Sequence, residues 1–560
     1  MVGRTGEGPG DAAVGRLVES RFGAWVEAWP GHATRFGLHQ HDGRLPDLSR
    51  GAKEADVAAE HAFVRRLEAV DHETLSAPVA FEREVALHGG RLRLFEAEVV
   101  RDWERTTNAT DEIGTALFLL AARDFAPLEE RLLSMTARLE AVPTALQQVR
   151  DRPGRDTVRL WMEQEAQSAA ELPSLIHDIV ASAGTVWPAG AAPLSRIEVA
   201  ARAAEAALLD YAAWIEGRLD DCAAPTALGA DELDRLVGLR AFDGLTTDDI
   251  LAIGLEQLES QHESRRRAGH EIDPALSEAE VVERVKTAGP KDFAAALRAY
   301  REAMLRARAF VEEHGLATLP SGDILEVVPT PVYMRRMLPL AAYFDPAAFD
   351  RPARGTYVVT PSVDGDPGAL LEHNWSSIVN TSVHEAYPGH HLQLTAALAT
   401  PTPARLMVEA PEFVEGWAMY CEQMMLEQGF DDSPERRVIV ATDAIWRAAR
   451  IVLDIRLHRG EISVDDGVDF LVEHTRFERS VAKAEVERYT TAPGYNLSYL
   501  LGKVLLLRLR ADEQARRGQA FTLRGYHDAL LYSGSLPISF HRRLLAGEGG
   551  GPTAPGALAA

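Results

Sequence analysis

Roughly two hundred consecutive residues, from about 15 to 220, are written mostly in Ala, Leu, Glu and Arg, the side chains that lose least on entering a helix. This run constrains the fold more than any other feature, because it makes the dominant pattern helical. Segment 196–219, RIEVAARAAEAALLDYAAWIEGRL, carries the period openly: Val199, Ala203, Ala206, Leu209 and Ala213 recur at three- and four-residue steps. Breaks fall at Pro and Gly clusters, DRPGRD at 151–156 and TVWPAGAAPL at 185–194. No fixed-period repeat runs through the chain, which disfavours a solenoid.

Near residue 320 the pattern changes. DILEVVPTPVYMRRMLPLAAYFDP and RGTYVVTP are β-branched, aromatic and punctuated by proline, and predict two or three short strands between about 324 and 361. Helices return from about Trp375 to Leu545. The termini are Gly-rich and polar, so residues 1–12 and 547–560 are expected to be disordered. Between them lie a helical region over 13–320 and a sheet-plus-helix region over 321–546, read as one continuous fold.

With 560 residues and 46% hydrophobic side chains the chain can bury a sizeable core. A formal net charge of −25 makes nucleic acid and anionic membrane poor partners. The two cysteines, Cys222 and Cys421, can build neither a disulfide framework nor a cysteine zinc site. No apolar run approaches a membrane span, and no secretory signal is visible at the N-terminus, so a cytoplasmic location is expected.

The chemistry concentrates in TSVHEAYPGHHLQ, residues 381–393. Four His-Glu pairs occur, at 72–73, 262–263, 270–271 and 384–385, and only the last has further histidines close behind it. In the HExxH helix of zinc peptidases, the two histidines stand one turn apart on one face and the glutamate polarises the metal-bound water. Here Pro388 occupies the second histidine's place, and His390 and His391 follow late. On a regular helix His390 would sit about 120° off the His384 face, and His391 about 10.5 Å further along it. Pro388 lacks an N–H and clashes with the carbonyl of His384, while Gly389 tolerates unusual backbone. Two residues can loop out there, which makes His384 and His390 the candidate metal ligands and His391 a supporting or core residue. The choice of His390 over His391 turns on that detour.

Downstream, EAPEFVEGWAMYCEQMM (409–425) places Glu415 on an otherwise apolar helix face, where a carboxylate is costly unless paired or metal-bound. A His, His, Glu set leaves a position open for water, as catalytic zinc requires. The alternative for Glu415 is a buried ion pair with an arginine. Arg450, Asp454 and His458 share one helix face, read either as an intrahelical ion pair with a capping histidine or as pocket residues. Around a second Pro-Gly turn stand Arg488, Tyr489, Tyr495 and Tyr499. From these groups His458, Arg488 and Tyr499 are taken as catalytic candidates beside Glu385, to steady a developing oxyanion. Arg450 and Arg488 are the cations that could hold a substrate carboxylate.

HEAYPGHHLQ, EGWAMYCEQ, RAARIVLDIRLH, VERYTTAPGYNLSYLLGK and LLYSGSLPI, in this order, resemble a bacterial family known as domain of unknown function 885. That family in turn looks like a relative of the zinc carboxypeptidases of the Taq type. The resemblance implies a mainly α, large multi-helix, zincin-like fold with a small antiparallel β-sheet preceding the metal-site helix. It also implies zinc at His384, His390 and Glu415, with Glu385 as general base. Many members of that family are exported lipoproteins, whereas this chain shows no lipobox.

The expected function is therefore a zinc-dependent metallopeptidase, carboxypeptidase-like, acting on a peptide or a related small amide. The alternative is a non-catalytic binding protein on a decayed metallopeptidase scaffold, against which the intact Glu385 argues. A di-iron bundle needs paired ExxH motifs, and Glu259–His262 has no mate. Serine-hydrolase and P-loop signatures are absent. The oligomeric state is left open, a homodimer included.

Overall fold

The computed structural model describes residues 9–331, 335, 338, 340–361, 370–399 and 401–553. Among its N-terminal helices are α1 (Pro9–Ala28), α2 (Ala77–Phe95), α3 (Leu128–Gln148), α4 (Arg159–Glu171) and α5 (Ala192–Glu216). The breaks before α4 and α5 fall at the two Pro/Gly clusters. In α5 the period is the expected one but the buried face is not. Val199 and Leu209 are 59% and 56% exposed, while Ile197, Leu208, Tyr211 and Ile215 lie inside. An alanine-rich helix is weakly amphipathic, so the packing partners choose the face with the larger side chains.

Leu139, Met162, Ile197 and Leu208 share one buried cluster in this block. A second cluster joins the two ends of the chain, packing Val18 and Phe81 with Met407, Phe540 and Leu544. Both termini are more ordered than expected. Residues 9–12 already belong to α1. In the tail, Gly549 lies against the Phe81 ring and Thr553 donates its N–H to Ser533. Glycine-rich composition suggested disorder, but turns that rest on an existing apolar surface are ordered by that contact. Residues 1–8 and 554–560 lie outside the described residues.

The second block opens with α6 (Thr247–Ile272), started by a Thr246/Asp249 capping box, and α7 (Phe293–Glu313). Three strands follow, β1 (Ile324–Pro329), β2 (Ala341–Phe344) and β3 (Arg354–Val359), in the order β1-β3-β2. The sheet is mixed rather than antiparallel: β3 takes the centre and runs parallel to β1 and antiparallel to β2. The chain reverses into β2 and again into β3, so β1 and β3 point the same way, and their adjacency makes a parallel pair. Arg301 of α7 donates to the Val327 carbonyl at 2.9 Å and covers the outer edge of β1.

Beyond the sheet come α8 (Trp375–Glu385), α9 (His390–Ala397), α10 (Pro411–Glu427), α11 (Pro434–His458), α12 (Arg479–Tyr489) and α13 (Ser498–Arg517). They share one large core running from Leu233 to Leu545, with Trp417, Tyr420 and Met424 fully buried in it. α10 crosses α13 with backbone against backbone: a Cβ at Gly502 would stand 1.9 Å from the Glu412 carbonyl oxygen. Only glycine permits that approach, and it brings the Glu415 helix against the Tyr499 helix. No helix among the described residues is long and apolar enough to cross a membrane.

Candidate metal centre

α8 ends at Glu385 and α9 begins at His390, so the quoted motif is a helix interrupted by four residues. Across the gap the ladder is kept by wide bonds: the Gly389 N–H reaches the Val383 carbonyl at 3.0 Å, and the Leu392 N–H reaches Ala386 at 3.3 Å. Each spans six residues where an α-helix spans four. Pro388 has no N–H to continue the regular ladder. Gly389 is required by space, since a Cβ there would stand 1.8 Å from the His384 oxygen. The two extra residues are thus absorbed, and His390 returns to the place of an i+4 ligand.

The ligand atoms of His384, His390 and Glu415 all lie within 4.8 Å of one another. His390 Nε2 is 3.6 Å from Glu415 Oε2, and the two imidazoles meet edge to face at 4.8 Å. Tetrahedral zinc bonds of about 2.0–2.1 Å separate neighbouring donors by about 3.3 Å, so this set fits the ion after a small contraction. His384 Nδ1 bonds Glu422 Oε1 at 2.7 Å, which turns its Nε2 toward the other two ligands. A carboxylate behind a metal-binding histidine is the usual device for fixing the tautomer and raising ligand basicity. Burial alone would lower the His384 pKa, but Glu422, with the charges of Glu385 and Glu415, carries it up to about 9. Burial likewise pushes Glu415 upward, and the contact with His390 and the charges of His384 and Arg450 bring it below the ordinary carboxylate range.

His391 points the other way. It is fully buried, takes a 2.9 Å hydrogen bond from the Tyr343 hydroxyl at Nδ1, and is absent from the ligand cluster. Glu385, the last residue of α8, is half-buried, and its carboxylate has no hydrogen bond or ion pair among the described residues. Its charge bears on His384, Tyr300 and Tyr357.

The remaining candidates divide. The Tyr499 hydroxyl lies 3.3 Å from that of Tyr495, and burial together with the Glu415 charge raises both phenols. Arg450 is buried beside them, 5.0 Å from the Tyr499 ring centre, and donates to Tyr489 and Glu485. Arg488 sits on the outer side of Glu485, with 47% of its side chain exposed, and touches none of the three ligands. His458 is also withdrawn. It stands eight residues beyond Arg450, about 12 Å along α11, and meets the Tyr489 carbonyl at 3.1 Å inside the core. Nor is the stripe an intrahelical pair: Asp454 accepts from the Gly494 N–H at 2.9 Å and from Asn496. Arg450, Asp454 and His458 together hold the 485–496 segment that presents Tyr495 and Tyr499.

Glu422 escaped the sequence reading, although its signal was present. It follows Glu415 by seven residues, two helical turns, and therefore lies on the same face of α10. Asp323 and Tyr343, which surround His391, carried no local signal.

Fold and site together define a large, mainly helical protein with a mixed three-stranded sheet and a partly buried cluster of two histidines from an interrupted helix and a glutamate from α10. Over residues 30–545 the chain matches the family described as "Bacterial protein of unknown function (DUF885)", and it belongs to that family. Its fold is similar to that of a candidate lipoprotein of unknown function from Shewanella oneidensis. The TM-score is 0.78 at 18% identity, covering 95% of this chain and 99% of the other. A candidate lipoprotein from Colwellia psychrerythraea gives a TM-score of 0.80 at 16% identity, covering 95% and 98%. A comparison with curated proteins finds no match.

Proposed function

We propose that this chain is a zinc-dependent hydrolase, a metallopeptidase akin to the Taq-type carboxypeptidases, cleaving a peptide or a related amide. One observation carries the reading: three donors of the types that hold catalytic zinc converge within 4.8 Å, next to an unpaired glutamate. His384, His390 and Glu415 would hold the ion, and Glu422 would keep His384 in the tautomer that offers Nε2. When bound, zinc supplies a Lewis acid that polarises the scissile carbonyl and acidifies water. Glu385 takes the proton of the attacking water as its oxygen bonds to the carbonyl carbon. It then delivers that proton to the departing nitrogen as the C–N bond breaks. Tyr495 and Tyr499 offer hydroxyl donors for the developing oxyanion. Arg450 supports them from behind, held by Glu485 and Tyr489.

The test is a metal assay joined to a peptide-library digest. Wild type is expected to hold one zinc and to cleave, and Glu385→Gln to hold the zinc and lose cleavage. Equal cleavage by the two proteins would remove Glu385 from the mechanism. Zinc without cleavage of any peptide or amide in the wild type would leave a metal-binding scaffold in place of an enzyme.

A further inference from the structure

We infer that Asp323, a residue far from the motif in sequence, holds the Pro388-Gly389 detour in register and is a positioning residue for the metal centre. The metal part of this inference rests on the zinc reading above. Asp323 immediately precedes β1, and only 3% of its side chain is exposed. One of its oxygens, Oδ2, serves both ends of the detour. It accepts the hydroxyl of Tyr387, the residue before Pro388, and lies 3.5 Å from Nε2 of His391, the residue after His390. The other oxygen, Oδ1, faces Arg308 Nη2 at 3.5 Å. Arg308 in turn lies over the Tyr387 ring, 5.6 Å from its centre. The Tyr387 and His391 rings meet edge to face at 5.1 Å, and Tyr343 of β2 closes the far side of His391. From the opposite side, Trp417 of α10 donates to the Pro388 carbonyl at 2.8 Å. The detour is therefore gripped from both sides, by the Glu415 helix and by the sheet.

The geometric consequence is specific. Successive residues on a helix are turned by about 100°. With His391 locked toward Asp323 and Tyr343, α9 cannot rotate, and His390 must face His384. A wide six-residue bond has no intrinsic preference for this rotation, because the proline has removed the regular ladder. Burying a carboxylate is costly unless it is fully engaged. A carboxylate that accepts the Tyr387 hydroxyl and stands 3.5 Å from both His391 and Arg308 suits a device that selects one arrangement. It also assigns the small sheet a task, since Tyr343 reaches the motif from β2 and Asp323 from the turn that leads into β1.

The experiment compares wild type with Asp323→Asn and Tyr387→Phe, using Leu471→Ala as a destabilised control drawn from the same core, on a helix (Val464–Thr475) that packs on α11 and α12. Zinc affinity is measured by chelator competition, and the number of bound imidazoles by X-ray absorption. Amide hydrogen exchange over 386–393 is measured in the metal-free proteins. Asp323→Asn is expected to weaken zinc roughly ten- to hundredfold, the range for loss of a ligand's supporting partner. Imidazole coordination should fall from two to one, and exchange should quicken over 386–393 more than over 375–383. Leu471→Ala should lower the melting temperature while keeping zinc affinity within about twofold. Asp323→Asn with wild-type affinity, two imidazoles and unchanged exchange would overturn the inference. A wild type that takes up no zinc would overturn the zinc reading instead, and the exchange comparison would still decide whether Asp323 clamps the detour.

Discussion

Replacing Glu422 by glutamine tests the electrostatics of the centre without removing a ligand. Glutamine keeps the shape and can still accept from His384 Nδ1, now 2.7 Å from a carboxylate oxygen. Only the charge goes. Against the pull of burial, that charge is a large part of what carries His384 from 6.5 up to about 9, a difference of roughly 3 kcal/mol in all. Glu385 and Glu415 share in it, so roughly 1–3 kcal/mol is expected from Glu422; because the same charge also favours the competing proton, the ten- to hundredfold weakening of zinc is expected near pH 9, where His384 is neutral in both proteins, and shrinks toward pH 7. The sign with pH follows from the same shift. A metal takes the neutral imidazole, so below about 9 the ion must displace a proton from His384. The apparent affinity of the wild type should rise about tenfold per pH unit from 7 towards 9. Glu422→Gln lowers the His384 pKa, so its affinity curve should be flatter over that interval. Chelator competition at several pH values reads both quantities. A variant with wild-type affinity and wild-type slope would refute the claim that Glu422 governs His384.

Three further outcomes are expected. His390→Ala should lose zinc almost completely, while His391→Ala should keep one zinc held more weakly; metal analysis showing the reverse would exchange their roles. Gly389→Ala should abolish zinc binding and lower the melting temperature, because its Cβ would meet the backbone oxygens of His384 and Val383 at 1.8 and 2.4 Å; full metal content in this variant would contradict the tight detour. His541 is fully buried, both ring nitrogens lack hydrogen-bond partners among the described residues, and burial together with the Arg405 charge pushes its pKa down to about 3. A histidine depressed in the folded state contributes stability that is present above about 6.5 and is lost as pH falls, since the unfolded chain takes the proton first. From pH 6.5 to 5 the loss is about 2 kcal/mol, and thermal melts of His541→Phe should lack that portion of the acid sensitivity.

What could be read from the sequence was whatever depends on local chemistry. Helix-forming composition and proline breaks placed the helices, and β-branched runs placed the strands around 324–361. The clash between Pro388 and the His384 carbonyl announced an interruption, because it arises between atoms four residues apart. An apolar face around a lone carboxylate singled out Glu415. Glu422 was legible by the same rule, two turns on.

The tertiary structure decided what depends on neighbours distant in the chain. Which face of α5 is buried follows from the helices packed on it, since alanine offers either side. The sheet became mixed because β3 took the centre, a choice between pairings that a strand pattern cannot express. His458 and Arg488 belong to well-marked motifs, yet the length of α11 and the position of Glu485 set them apart from the ligands. The selection of His390 over His391 needed Asp323 and Tyr343, more than forty residues upstream, to fix the rotation of a short helix freed by its proline. Local sequence could open the helix at Pro388-Gly389; only the packed sheet and α10 could determine how it closes.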